Sequence, residues 1–472
     1  MTLRLSAPVR PVAALALLCA LLAPGGVEGA PSASSRIMQV PGFGAVTVYA
    51  PPGQPAQVVL FLSGDGGWNL GVVPMAERLR QEGALVIGVD VRALMKGLEA
   101  AKSCGYPAGP LEELSRTVQA RLTLPKYLPP LVVGYSSGAT LAYAAIAGAP
   151  PETFTGALSL GFCPDLELHR PLCQIRGVRA TKRSKGVGYD LAPFAAMTVP
   201  WTVLHGAQDQ VCALEPTRRF VAATGRATLV ELPKVGHGFG VPARWEPAYV
   251  NAYRAIARIP SALATERVRA PDVADLALVE VPATGTRITD TFAVVLSGDG
   301  GWAELDKAIA AALAARGIPV VGWSSLDYYW SPRTPERAAA DLGRVVQHYT
   351  EAWQRPRVIV VGYSFGADVA PFLVNRLPDA LTPQVTLLAL LAPSDHASFE
   401  FHVTEWLRAG TGPEHPTRPE RDRLRVPTVC ISPLDEPPSA CATPNPLVRR
   451  EATGAGHHFS GEYTHLVDLM VR

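Results

Sequence analysis

The 472-residue sequence has almost no net charge, because 43 lysines and arginines nearly cancel 41 aspartates and glutamates to leave +2. That argues against bulk electrostatic binding to nucleic acid, which needs a large positive surplus. Charge of either sign is sparse at 18%, while hydrophobic residues reach 48%. Disorder is therefore excluded as the dominant state, and a full core is within reach. No paired CxxC spacing suggests a zinc site. Beyond the first thirty residues, no apolar run approaches the ~20 residues that span a bilayer. Proline, by contrast, is plentiful at 44 residues, nearly double the usual ~5%, which favours short elements joined by rigid loops.

The first thirty residues are expected to be a signal peptide rather than part of the fold. Arg4 and Arg10 precede an unbroken apolar run from Val12 to Ala23, which ends at Pro24-Gly25-Gly26, and small residues follow at Gly29 and Ala30. This pattern predicts export of a soluble mature chain. Six cysteines remain (Cys104, Cys163, Cys173, Cys212, Cys430 and Cys441), and an exported chain permits disulfides. Cys430–Cys441 closes a short loop and is the first expected pair, while the connectivity of the other four stays open.

The rest of the sequence is one unit written twice. Leu62-Ser63-Gly64-Asp65-Gly66-Gly67-Trp68 recurs as Leu296-Ser297-Gly298-Asp299-Gly300-Gly301-Trp302, and Val133-Gly134-Tyr135-Ser136-Ser137-Gly138-Ala139 recurs as Val361-Gly362-Tyr363-Ser364-Phe365-Gly366-Ala367. Repeats roughly 230 residues apart mean duplicated domains rather than a solenoid. The expected domains are 36–262 and 274–472, with a linker at 263–273. Short β-branched runs alternate with helical segments in both. The predicted strands are 58–62, 84–89, 130–134, 157–161, 200–205 and 228–232, then 292–296, 318–323, 357–362, 386–391, 427–432 and 447–451. Runs apolar on both faces indicate mostly parallel sheets flanked by helices, an α/β class.

Ser136 and Ser364 each sit in G-x-S-x-G, with a buried strand before and an alanine-rich helix after. In that context the serine occupies a strained strand-to-helix turn, the nucleophile elbow of the α/β-hydrolase fold, and the acid and the histidine should follow it in that order. Both units comply, with Asp209 and His237 after Ser136, and Asp435 and His457 after Ser364. Glu436 competes with Asp435 as the second acid. The Ser-Gly-Asp-Gly-Gly-Trp loop takes the slot of the oxyanion loop. Backbone N–H groups at Gly64 or Asp65 would pair with that of Ser137, and those at Gly298 or Asp299 with that of Phe365. Trp68 and Trp302 are expected to pack the loop or line the site. No cofactor or metal is expected.

At these motifs the chain resembles the bacterial virulence protein family of VirJ and AcvB. The second half carries the family's motifs in Ser297–Trp302, Ser325-Leu326-Asp327-Tyr328-Tyr329-Trp330, Arg333-Thr334-Pro335-Glu336 and Gly362–Asp368, and the two-unit layout looks like the longer AcvB type. The resemblance implies two tandem α/β-hydrolase domains in the periplasm. It implies a serine esterase that hydrolyses aminoacylated phosphatidylglycerol, typically lysyl-phosphatidylglycerol, with Ser364 as nucleophile, and links to type IV secretion. Pro433, Pro437 and Pro438 depart from the usually acidic surroundings of the acid. Asp299, Asp327, Asp368 and Asp395 are then candidates to meet lysyl ammonium groups. A basic stretch (Arg176, Arg179, Lys182, Arg183, Lys185) would face anionic head groups or simply solvent. The 394–426 insertion, with Phe399, Phe401 and Trp406, is a candidate lid or lipid-facing groove. The rival expectations are a carboxylesterase or lipase of other acyl preference, and a non-catalytic binding or chaperone-like factor.

Overall fold

The computed structural model describes residues 35–69, 71–258, 268, 270–285, 290–400, 415–436, 441–461 and 463–471. The expected signal peptide, most of the expected linker, and Phe401 and Trp406 lie outside these residues.

The chain forms two large sheets. The first has the order β1-β2-β4-β3-β5-β6-β10-β11. Its strands are β1 (Ser35–Val40), β2 (Gly44–Tyr49), β3 (Gln57–Leu62), β4 (Ala84–Val89), β5 (Leu131–Tyr135), β6 (Gly156–Leu160), β10 (Trp201–Gly206) and β11 (Ala227–Leu232). Between β6 and β10, the strands β7 (Asp165–Leu166), β8 (Ala180–Lys182) and β9 (Tyr189–Leu191) make a small antiparallel sheet. The second large sheet runs β12-β14-β13-β15-β16-β19-β20. It is built from β12 (Leu278–Val281), β13 (Thr291–Leu296), β14 (Val320–Trp323), β15 (Arg357–Tyr363), β16 (Val385–Leu391), β19 (Thr428–Ser432) and β20 (Val448–Ala452). A two-stranded ribbon of β17 (His396–Ala397) and β18 (His415–Pro416) flanks it.

From β4-β3-β5 onward the two sheets share one strand order, and those strands pair in parallel. The composition explains why. All six residues of β3 and of β4 are buried, so these strands can sit only in the middle of a sheet covered on both faces. The helix Ser137–Gly148 buries eleven of its residues, and its small side chains let it lie close against β5 and β6. The antiparallel β1–β2 hairpin was not expected. In it β2 buries Val46, Val48 and Tyr49, while the outermost strand β1 leaves Arg36, Ile37 and Gln39 exposed, as suits an edge.

Candidate active sites

Both elbows have the same build. Ser136 has φ 54 and ψ −123, and Ser364 has φ 51 and ψ −118. A non-glycine residue in this region is strained and persists only where its surroundings hold it. The flanking glycines show what does so. A Cβ on Gly134 would lie 2.1 Å from the Gly138 oxygen, and one on Gly362 would lie 2.4 Å from the Gly366 oxygen. Across the turn, a Cβ on Gly138 or Gly366 would come within 2.3 Å of the Ser63 or Leu296 carbonyl oxygen. Each elbow is thus wedged between its own helix and the neighbouring strand.

In the first unit, His237 Nε2 lies 3.0 Å from Ser136 Oγ, and its Nδ1 lies 2.8 Å from Asp209 Oδ2. The other Asp209 oxygen accepts the N–H groups of Val211 and Cys212, both at 2.9 Å. In the second unit, His457 Nε2 lies 2.7 Å from Ser364 Oγ. Its Nδ1 faces Glu436 at 3.1 Å. The expectation of Asp435 is corrected here, because Asp435 Oδ1 turns back to accept the Gly456 N–H at 2.6 Å and so caps the histidine loop. The two constellations also differ in exposure. His237 and Asp209 side chains are 16% and 0% exposed, against 43% and 35% for His457 and Glu436.

Two tyrosines beyond the expected residues brace the histidines. Tyr135 and Tyr363, the variable residues just before each serine, both donate from the hydroxyl to the histidine's own carbonyl at 3.1 Å. Each ring lies 5.6 Å from the imidazole it braces. Burial raises both phenol pKa values, so they stay neutral donors. Their presence in both copies of G-Y-S was the available signal.

The glycine-rich loops lie against the nucleophiles. A Cβ on Gly64 would be 3.1 Å from Ser136 Cβ, and one on Gly298 would be 3.7 Å from Ser364 Cβ. Ser137 and Phe365 open their helices, where an N–H has no intrahelical acceptor. The expected oxyanion donors are thus brought beside each serine. Each loop is pinned by its first serine, since Ser63 Oγ accepts the Val91 N–H at 3.0 Å and Ser297 Oγ accepts the Ser325 N–H at 2.9 Å. Trp68 and Trp302 close the loops onto the sheet. A Cβ on Gly88 would strike Trp68 at 2.1 Å, and one on Gly322 would strike Trp302 at 2.4 Å.

Ser364 and His457 open into a cavity of about 1340 Å³. Trp302 is buried, and it also lines this cavity. Of the expected substrate contacts, Asp299, Asp327 and Asp368 line it as well. Asp395 does not, for it is 56% exposed and lies 3.7 Å from Arg421. Asp306, which the sequence reading did not select, is a further lining residue. Burial pushes Asp306 up to about 7 and Asp368 up to about 8, the latter although the Ser394 N–H and hydroxyl both donate to it. Glu113 lines the cavity from the first unit, and partial burial raises its pKa too.

One group of possible metal ligands comes together among the described residues: Asp209, Cys212 and His237. Cys212 is bonded to Cys163, and His237 and Asp209 are lined up on Ser136, so the ligand atoms of this cluster are already engaged within the protein. Cys104–Cys173 and Cys430–Cys441 are the other disulfides. Within the basic stretch, Arg183 pairs with Asp165 at 3.1 Å and Arg176 pairs with Glu304, while Lys182 and Lys185 face solvent.

Residues 290–472 match the family described as bacterial virulence protein (VirJ). The second unit is thus similar to VirJ over these residues, and its own elbow, glycine-rich loop and serine–histidine–carboxylate line have the arrangement of an α/β-hydrolase. No curated protein matches the chain. Among solved structures, the chain is similar to the esterase domain of a Rhodothermus marinus protein, at 21% identity and TM-score 0.32 over 45% of this chain and 92% of that one. It is also similar to Thermogutta terrifontis esterase 2 (17%, TM-score 0.35, 48% and 95%) and to Est1E from Butyrivibrio proteoclasticus (14%, TM-score 0.32, 47% and 97%). At these values the likenesses say nothing about the substrate of the VirJ-like unit or of its partner.

Proposed function

We propose that the chain is a serine ester hydrolase of the periplasm whose VirJ-like site cleaves the aminoacyl ester of aminoacylated phosphatidylglycerol, lysyl-phosphatidylglycerol above all. The observation that carries this reading is the line Ser364–His457–Glu436 opening into a large cavity walled by carboxyl groups. Glu113, Asp299, Asp306, Asp327 and Asp368 line this cavity together with Arg116 and Lys126, and this acidic excess favours an ammonium-bearing acyl group over a neutral one.

His457 takes the Ser364 proton as Oγ attacks the ester carbonyl, and Glu436 stabilises the imidazolium that forms. The N–H groups of Phe365 and the 298–299 loop receive the oxyanion. The imidazolium returns its proton to the glycerol oxygen, which leaves as phosphatidylglycerol. Water, deprotonated by the same histidine, then cleaves the acyl-serine and frees the amino acid. Three disulfides support an oxidising compartment. No helix among the described residues is long and apolar enough to cross a membrane. The exposed Lys182 and Lys185 favour contact with anionic head groups at a membrane surface. A link to type IV secretion components rests on the family resemblance alone.

The test is lysine release from vesicles containing lysyl-phosphatidylglycerol. Wild type should release lysine, Ser136→Ala should still do so, and Ser364→Ala should not. No release by wild type would overturn the substrate, and full release by Ser364→Ala would overturn the choice of site.

A further inference from the structure

The cavity at Ser364 is not built by the VirJ-like unit alone. The helix Ala108–Arg121 of the first unit, with Tyr127 and Glu152 beyond it, forms part of its wall. Contact is direct at the oxyanion loop. Arg116 Nη1 donates to the backbone oxygen of Asp299 at 3.3 Å. Its side chain is 11% exposed, and Glu112, one helical turn earlier, holds Nη2 at 2.5 Å. Burial works against the charge on Arg116, but Glu112, Tyr127 and Asp299 together outweigh it and hold the pKa above the ordinary arginine value.

Other contacts fix this arrangement. Arg116 lies over the Tyr127 ring, which packs on Trp330 of the second unit at 5.5 Å. Trp330 donates to the Leu124 carbonyl at 2.7 Å, and Lys307 donates to Glu152 at 2.7 Å.

The two repeats differ in which arginine lies against this loop. In the first unit the glycine-rich loop is braced internally. Arg92, paired with Asp90, lies so close that a Cβ on Gly67 would meet its Nη2 at 2.2 Å. The matching position after β14 is Leu326, and a Cβ on Gly301 would meet Leu326 Cβ at 3.3 Å. The second loop has no arginine of its own unit at that position, and the guanidinium that reaches it comes from the first unit.

We propose that the first unit completes the second active site, with Arg116 as a positioning residue that holds the 298–301 loop in register with Ser364. A charged donor fixed on the Asp299 carbonyl sets the orientation of the 299–300 peptide, and this limits how the adjoining 298–299 peptide, which carries the Asp299 N–H, can turn toward the oxyanion. The inference rests on Ser364 being a nucleophile, and the experiment separates the two claims.

The full chain is treated with a fluorophosphonate probe, and the labelling rates of Ser136 and Ser364 are followed separately by peptide mass analysis. Wild type should label at Ser364, and absence of that label would sink the hydrolase reading and this inference with it. Arg116→Ala and the bulk-preserving Arg116→Met should slow Ser364 labelling at least tenfold while Ser136 labelling and the far-ultraviolet spectrum stay as in wild type. In a Ser136→Ala background, hydrolysis of p-nitrophenyl acetate should lose kcat with little change in KM. Arg116→Lys should recover part of the rate, and added guanidinium ion should raise the rate of Arg116→Ala but not of wild type. Ser364 labelling within twofold of wild type in both Arg116→Ala and Arg116→Met would overturn the proposal.

Discussion

Replacing Glu436 by glutamine keeps its shape and removes its charge, which isolates what the carboxylate does for His457. In the transition state His457 is an imidazolium, 3.1 Å from Glu436 Oε1. At that separation the attraction is about 5 kcal/mol in a medium of effective dielectric ~20 and about 1.3 kcal/mol in bulk water. His457 is 43% and Glu436 35% exposed, so water reaches both. An intermediate value of about 2–4 kcal/mol corresponds to a loss of about 30- to 1000-fold in kcat. Asp435→Asn should cost less than about threefold, because an amide oxygen can still accept the Gly456 N–H. The buried Asp209 pair of the first unit should respond more steeply, and Asp209→Asn there should approach the ~10⁴-fold loss typical of an enclosed triad. Steady-state hydrolysis of a p-nitrophenyl ester in a Ser136→Ala background measures the second site alone. If Asp435→Asn proved the more damaging change, the assignment of the acid would be refuted.

The pH dependence of substrate binding offers a second check. Asp306 and Asp368 titrate near 7 and 8 because burial disfavours their charged forms, so rising pH through this window makes the cavity more negative while a lysine-type ammonium stays charged to about pH 10. KM for an Nα-acetyl-lysyl ester, whose only amine is the ε-ammonium, should therefore fall between pH 6 and 9 while KM for a neutral ester stays level, and Asp368→Asn should flatten the upper part of the profile. Third, replacing Cys163 and Cys212 by serine removes a link across 49 residues. By chain entropy that should cost about 4 kcal/mol, against about 3 for the 11-residue link Cys430–Cys441. Thermal melts should show the loss, with Ser136 labelling slowed through Asp209 and Ser364 labelling spared.

Much of this was legible in the residues because it is local. A central parallel strand must be apolar on both faces, so β3, β4 and β5 announce themselves. An elbow needs its glycines at fixed offsets, which makes Ser136 and Ser364 visible. The acid of the second triad was not, because Asp435 and Glu436 are neighbours on one loop. Which of them faces His457 depends on which accepts the Gly456 N–H. Asp395 was an acidic residue near the right strand, but Arg421 holds it at the surface. Arg116 was hidden for another reason: with Glu112 four residues before it, it reads as an ordinary solvent-facing helix pair, and only the docking of two units turns it inward.

The indole-on-glycine contacts, Trp68 with Gly88 and Trp302 with Gly322, bear on the history of the repeat. Adding a methyl at the glycine evicts the ring, and trimming the ring leaves a void beneath a loop that must stay put. Neither partner can drift without the other, so single substitutions at either site are blocked. Elsewhere the two copies differ, in the unit that supplies the arginine beside the loop and in whether an aspartate or a glutamate faces the histidine. This pair is among the contacts that both copies keep, and it is a fixed datum against which the differences around it can be measured.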